Sequence, residues 1–461
     1  MIKKIHLIAA CGTGMGTLAC ILKEMGYRVT GSDQNIYPPM SDLLKEKGIS
    51  LFTGYDSSNL DHKPDLVIIG NAVTKMNVEA RAVLQKGIPY LSMPQAVNKF
   101  IAKNKKIILV TGTHGKTTTS SIMAYILFVA GMDPSFMIGG ILKDFNSSFR
   151  IGSGEYMVIE GDEYDTAFFD KGPKFMHYDP EITIMTGIEF DHADIFTDID
   201  HIKTIFANFV KKIEKVSHII AYDDNDNLKE ILDTPVSSIE SYGKQGQWSF
   251  SNHVQENSKT LFDVKGPNKK VLIKTNMVGE HNLLNCVACI AVANKIGISD
   301  KKICDALKSF SGIKRRQEIR GIRHGVTVMD DFAHHPTAVR ETIKAVKPFY
   351  KDGRVIAVFE PRTNTSMRKF FQEIYPDSFL DADMVFVCEP AIKKNIPQKD
   401  KFSIRQLVVD IEKKGIKAYY FENSDKLINA LILKLRPNDL VLIMSNGGFD
   451  NIHVKLLEKI Q

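Results

Sequence analysis

Ile107-Ile108-Leu109-Val110-Thr111-Gly112-Thr113-His114-Gly115-Lys116-Thr117-Thr118-Thr119 is the stretch on which the fold turns. An apolar run of strand length leads into a glycine-bearing turn. An apolar-periodic helix (Ile122, Ile126, Val129) follows and ends at Gly131. Backbone N–H groups at a helix N-terminus cradle phosphates, and glycines let the main chain come close to them. In that reading Gly112, Thr113, His114 and Gly115 form the loop, Lys116 neutralises the β- and γ-phosphates, and the Thr117 hydroxyl ligates Mg²⁺. The full phosphate-loop pattern asks for glycine five residues before Gly115, where this chain has Val110. The competing reading is a plain strand–turn–helix with a surface lysine.

Working outward, one further apolar run ends in Glu160-Gly161-Asp162-Glu163-Tyr164-Asp165. The next ends near Glu189-Phe190-Asp191-His192-Ala193-Asp194. In an open α/β sheet, ligands bind beyond the carboxyl ends of the strands. Acidic groups there, Glu160 first, are natural oxygen donors for a hard cation beside a triphosphate. Residues 242–278 read as an added β meander. Helices are expected over about 282–295 and 301–309.

Before this segment, runs at 5–10, 29–32, 66–70 and 89–92 alternate with helical stretches, the pattern of parallel strands with crossover helices. The polar break Lys103-Asn104-Lys105-Lys106 marks a first boundary, and residues 312–316 a second. Runs at 326–330, 355–359, 384–388 and 440–445 then make a third doubly wound unit. The expected domains are 1–103, 104–313 and 314–461, all α/β. A chain of 461 residues is too long for a single core.

Composition narrows the class. With 44% apolar and 25% charged residues the chain reads as an ordinary globular protein. Its net charge of +6 comes without a long Lys/Arg tract, which favours small anionic ligands over nucleic acid. The opening apolar run breaks at Gly12, as a buried strand does and a signal peptide does not. No stretch is apolar enough to span a bilayer. Six cysteines inside mostly apolar runs suit a reducing compartment, so a cytoplasmic location is expected. The Cys286/Cys289 pair falls in a helical pattern and reads as core packing.

Cys11-Gly12-Thr13-Gly14-Met15-Gly16 follows the first run, and Asp33 closes the second about 20 residues on. Alone, that resembles a dinucleotide fingerprint, with Thr17 at the third glycine position. The same turn serves any diphosphate, because backbone and helix N-terminus do the binding.

Together these pieces resemble the Mur ligase family. The match is carried by residues 112–119, 160–165, Asp191-His192, Gly279-Glu280-His281-Asn282-Leu283-Leu284-Asn285, Lys314-Arg315-Arg316 and Asp330-Asp331-Phe332-Ala333-His334-His335-Pro336-Thr337, in the family's order. The resemblance implies a Rossmann-like N-terminal domain for a UDP-sugar, a P-loop-type central domain for ATP, and a Rossmann-like C-terminal domain that closes over the nucleotide. It implies Lys116, Glu160, His192 and Arg316 as catalytic residues, with Thr117, Glu160 and His192 at Mg²⁺. His281, Asn282 and Asn285 would approach the adenine, and Asp331 and His334 would reach ATP from the closing domain. Gly12, Thr13, Gly14, Met15, Gly16, Ser32, Asp33 and Asn71 would hold the UDP-sugar.

Residues 32–41, 69–72, 163–171, 359–365 and 444–449 are most similar to the branch of the family that attaches a whole tripeptide. That branch joins L-alanyl-γ-D-glutamyl-meso-diaminopimelate to UDP-N-acetylmuramate through an acyl phosphate, in murein recycling. Arg362 and Asn364 stand where the alanine-adding branch has a Pro-His-Arg-type motif, and are expected to bind the peptide. Thr186-Gly187 departs from the family's usual Asn before the Asp-His motif, and Gly161 replaces a common Ala. His192 is open to reading as metal ligand or as base for the incoming amine. The alternatives are a UDP-N-acetylmuramate–L-alanine ligase, an NAD-dependent dehydrogenase and a non-catalytic nucleotide-binding module. A monomer or weak homo-oligomer is expected, with no nucleic acid partner and no membrane insertion.

Overall fold

The computed structural model describes every residue except 1, 37–39, 194, 214, 234–237, 257–258, 364, 392–395, 398–399 and 461. Among the described residues the strands build three main sheets, each sandwiched by helices.

The first sheet runs Ser50–Thr53, Arg28–Asp33, Lys4–Ile8, Leu66–Ile69, Tyr90–Ser92, all parallel. Ile5–Ile8 and Leu66–Ile69 are buried at every residue because helices cover both faces, and the one polar side chain among them, His6, is paired with Glu79. Strand order reverses beside Lys4–Ile8, so the crevice opens where the glycine turn leaves that strand.

The central sheet runs Ile239–Tyr242, His218–Tyr222, Ile182–Met185, Lys106–Thr111, Tyr156–Gly161, Ser135–Leu142, Ser147–Arg150, with only the last strand antiparallel. Lys106–Thr111 sits between Ile182–Met185 and Tyr156–Gly161, so three loops leave side by side at their carboxyl ends. The meander is an antiparallel three-stranded sheet, Ser249–Glu256, Lys259–Gly266, Lys269–Thr275. It packs on the helices Glu280–Lys295 and Asp300–Ser309. Cys286 and Cys289 are fully buried on the first of these, and Cys289 Sγ donates to Thr119 O.

The third sheet runs Glu318–Arg323, Val326–Asp331, Leu440–Met444, Val355–Phe359, Met384–Cys388, Lys417–Phe421, antiparallel only at Glu318–Arg323. No helix among the described residues is long and apolar enough to cross a membrane.

Several strands escape the sequence reading: Ser50–Thr53, Ser135–Leu142, Ser147–Arg150, Glu318–Arg323 and Lys417–Phe421. Four of them lie at sheet edges, where half-exposed strands dilute the apolar pattern. Ser135–Leu142 carries Gly139-Gly140 and a register shift in its pairing with Ser147–Arg150.

The first and central sheets share one continuous apolar cluster, which runs from Ile5 and Leu18 through Phe149 and Phe175 to Ile219. The clusters of the third sheet begin at Val326 and include no residue of the other two.

Candidate active site

The phosphate-loop segment is shaped by two glycines. Gly112 has φ +122°, and a Cβ there would lie 2.5 Å from Thr186 Oγ1 and 2.7 Å from Gly187 O. Gly115 caps the helix Lys116–Val129 with φ +78°, and its Cβ would meet Asn285 Oδ1 at 2.8 Å. Only glycine adopts such angles cheaply and leaves room for both neighbours. The turn is gripped from the adjacent loop. Thr113 N donates to Gly187 O (2.8 Å), and Thr186 Oγ1 donates to Thr111 O and His114 O. The threonine that departs from the family's asparagine therefore anchors the loop backbone.

Lys116 Nζ donates to Gly112 O (2.6 Å), Thr113 O (3.2 Å) and both oxygens of Glu163 (2.9 Å each). Burial works against this ammonium. Glu163, with Glu160 and Asp162 behind it, outweighs burial and raises the lysine above its ordinary value. Thr117 Oγ1 donates to Glu160 Oε1 (2.9 Å), whose other oxygen accepts from Gly139 N (2.7 Å). His192, at φ +55°, packs edge-on to Tyr164 and holds Nε2 4.0 Å from both Glu163 Oε2 and Asp191 Oδ2.

The segment after the central domain alternates its attachments. Lys314 N donates to Ile141 O, and Lys314 Nζ to Asn146 Oδ1. Arg315 turns the other way, to Asp330 Oδ2, Ser445 O and Gly447 O. Arg316 lies over Phe332 and brings Nη2 to 3.4 Å from Thr117 Oγ1. Gln317 N donates to Asp331 Oδ2. Arg316 is thus the one member of the Lys-Arg-Arg run placed at the loop.

His281, Asn282 and Asn285 lie on the first turns of Glu280–Lys295, close behind Gly115. Asn282 Nδ2 donates to Val278 O, and Asn285 Nδ2 reaches Asn282 Oδ1 at 3.4 Å. His281 Nδ1 is buried with no hydrogen-bond partner, an open position for a ligand atom. Burial lowers His281 to about 4, so its ring is neutral. Asp331 is spent on the backbone N–H groups of Gln317 and Ala333, while His334 Nδ1 donates to Phe332 O.

In the first domain, Gly12 precedes the helix Thr13–Glu24, and Cys11, Thr13 and Gly14 line the cleft. Met15, Gly16 and Ser32 are turned inward. A Cβ on Gly16 would strike Met40 Sδ at 2.2 Å, and Ser32 Oγ donates to the buried Glu79. Asp33 accepts from Cys11 N (2.8 Å) and Asn35 N (3.0 Å), so it shapes the turn. Asn71 is exposed just past Leu66–Ile69. Arg362 is half-buried beside Glu360, and its guanidinium fills the space a side chain on Gly447 would need. Asn364 lies outside the described residues.

One cleft of about 2010 Å³ is lined from all three domains and joins Cys11, Thr13 and Gly14 to the phosphate loop, Glu160, His192, His281 and Arg316; Ser32, Asn71 and Arg362 lie outside its lining. Sequence reading offered Glu163 and Glu189 only as general oxygen donors for a cation, and gave Thr186 and Thr337 no positioning role. Their contacts join residues far apart in the chain, such as Thr337 Oγ1 donating to Glu189 Oε2 at 2.7 Å.

Three family models cover the chain in succession. They are "Mur ligase family, catalytic domain" over residues 4–105, "Mur ligase middle domain" over 110–293, and "Mur ligase, glutamate ligase domain" over 315–447. A curated relative from Escherichia coli K12, UDP-N-acetylmuramate–L-alanyl-gamma-D-glutamyl-meso-2,6-diaminoheptandioate ligase, is 41% identical across 99% of this chain and 98% of its own. The chain belongs to the Mur ligase family. A UDP-N-acetylmuramate–L-alanine ligase from Carboxydothermus hydrogenoformans is 34% identical over 99% of this chain and 96% of its own. Among solved structures, a murein peptide ligase from Psychrobacter arcticus covers all of this chain, and the chain covers 99% of it, at 34% identity and a TM-score of 0.73. The alanine ligase of Thermotoga maritima, at 23% identity, matches in fold with a TM-score of 0.81 over 100% of this chain and 99% of that one.

Proposed function

We propose that this Mur ligase joins L-alanyl-γ-D-glutamyl-meso-diaminopimelate to UDP-N-acetylmuramate at the expense of ATP, in murein recycling in the cytoplasm. The observation that carries the reading is the convergence of Lys116, the Thr117–Glu160 pair and Arg316 in a cleft that also reaches the glycine turn of the first sheet. The full-length identity to the E. coli enzyme that uses this tripeptide supports the choice of amine.

A carboxylate is a poor electrophile, and phosphorylation supplies its leaving group. The lactyl carboxylate would attack the γ-phosphorus of ATP, giving an acyl phosphate and ADP. The peptide's α-amine then adds to the acyl carbon, phosphate departs, and the amine loses its proton. Such transfers are accelerated by positioning and by positive charge on the phosphoryl oxygens. Lys116 would exchange Glu163 for phosphate oxygens, and Arg316, already at Thr117, would add a second cation from the far side. His281, Asn282 and Asn285 would receive the adenine.

Thr117 Oγ1, the Glu160 and Glu163 carboxylates and the His192 imidazole form an oxygen-rich donor set that fits Mg²⁺. When bound, the ion would neutralise charge between the β- and γ-phosphates.

On the amine side, Arg362 follows the carboxyl end of Val355–Phe359 and would grip the distal carboxylate of a diamino acid by paired hydrogen bonds. The alanine-adding activity is the second reading, favoured by the 34% identity to the Carboxydothermus enzyme. Phosphate release that requires both UDP-N-acetylmuramate and an amine is the expected result. Phosphate release independent of the UDP-sugar, or reduction of NAD at the first domain, would overturn the proposal.

A further inference from the structure

His114, Glu189 and His335 bring one ligand atom each to within 4.8 Å of one another, at the seam between the central and C-terminal domains. His114 Nε2 lies 3.4 Å from Glu189 Oε2, and His335 Nδ1 lies 3.8 Å from the same oxygen. A tetrahedral ion bound at about 2.0–2.1 Å sets neighbouring donors roughly 3.3 Å apart, so small movements suffice to close this set around a metal. The two rings stand 4.5 Å apart, centroid to centroid.

The tautomer of His335 is settled by its surroundings. Its Nε2 is 3.2 Å from Phe190 O, and a carbonyl only accepts, so Nε2 carries the proton. That leaves the Nδ1 lone pair beside Glu189, where it accepts the helix-capping N–H of Thr337 in a long 3.3 Å bond that a metal would have to displace. A ligating histidine whose other nitrogen donates to a backbone carbonyl is the usual orienting arrangement around protein-bound metals. Glu189 is steered in the same way, since Thr337 Oγ1 donates to its Oε2. His335 is buried while His114 and Glu189 are partly open to the cleft, which gives an ion a way in and a water a fourth position.

We infer that His114, Glu189 and His335 form a second metal site, selective for a borderline transition ion of the zinc class, that clasps the C-terminal domain to the phosphate loop. Two imidazoles and one carboxylate favour such an ion over Mg²⁺, which prefers an all-oxygen octahedron. The site is chemically distinct from the oxygen-rich set around Thr117 and Glu160. Two of its ligands belong to the central domain and one to the third, so binding holds the seam closed.

The test is zinc binding to the full-length protein, by competition with a chromophoric chelator in excess Mg²⁺ and without nucleotide. One zinc per chain is expected. His335→Ala and the conservative Glu189→Gln should each weaken it by about tenfold or more. His192→Ala, which alters only the oxygen-rich set, should leave it unchanged. Circular dichroism of each variant checks that the fold survives. The inference is overturned if no zinc is retained against Mg²⁺, if His335→Ala and Glu189→Gln bind it as tightly as the parent, or if His192→Ala is the variant that loses it.

Discussion

Lys116 is held by two loop carbonyls and by both oxygens of Glu163, so its charge is already positioned where phosphate oxygens are proposed to arrive. Lys116→Ala should therefore abolish nearly all turnover. The same change leaves Glu163 a buried carboxylate without its cation, so some stability is lost as well. Ligation assays beside a thermal melt separate the two effects, and near-normal turnover by the folded variant contradicts the assignment. His281 gives a pH signature. Burial holds its ring at about 4 against an ordinary 6.5, with Glu341 pulling the value up and Arg316 pushing it down. Below pH 6.5 the unfolded chain takes a proton that the folded one refuses until about pH 4, so stability is lost across that window as pH falls. His281→Gln should shrink the difference in denaturation midpoint between pH 7 and pH 5; an unchanged difference contradicts it. At this scale the Gly-Lys-Thr run and Glu160 were legible from local pattern. The inward turn of Ser32 toward Glu79 was not, because Glu79 lies on another element 47 residues away.

Elements place the chemistry by ending together. Lys106–Thr111, Tyr156–Gly161 and Ile182–Met185 are adjacent and parallel, so Thr113, Glu160 and Thr186 at their carboxyl ends open onto one crevice. The central strands were legible because they are buried on both faces and read as unbroken apolar runs. Edge strands such as Ser50–Thr53 and Glu318–Arg323 were not, since half or more of their residues face water. In the third sheet, Gly447 follows Leu440–Met444 and yields its side-chain space to Arg362, which follows the neighbouring Val355–Phe359. Arg362→Ala should raise the peptide KM by roughly 30-fold or more, since a lost desolvated charge contact costs about 2–5 kcal/mol. The KM values for ATP and the UDP-sugar should hardly change. Gly447→Ala should produce the same pattern by displacing the guanidinium, and a peptide KM unmoved in both variants contradicts the placement.

For the whole molecule, the first two domains share one apolar core, while the third meets them chiefly through polar contacts and the Phe190–Phe370 pair. An interface of that kind parts at low cost, and closure is a common way to complete a catalytic site. The C-terminal domain should therefore be the moving part. X-ray scattering should show compaction when ATP analogue and UDP-N-acetylmuramate are added together, and an unchanged radius of gyration contradicts this. The alternation of strands and helices made three α/β units legible in the sequence, but their packing was not, because it depends on scattered residues such as Leu18 and Phe149. The measurement that bears most directly on the account is a competition in which the enzyme receives UDP-N-acetylmuramate, ATP, the tripeptide and free L-alanine together, with products separated by mass. UDP-N-acetylmuramoyl-tripeptide is expected as the dominant product with stoichiometric ADP; UDP-N-acetylmuramoyl-L-alanine as the main product would contradict the tripeptide assignment.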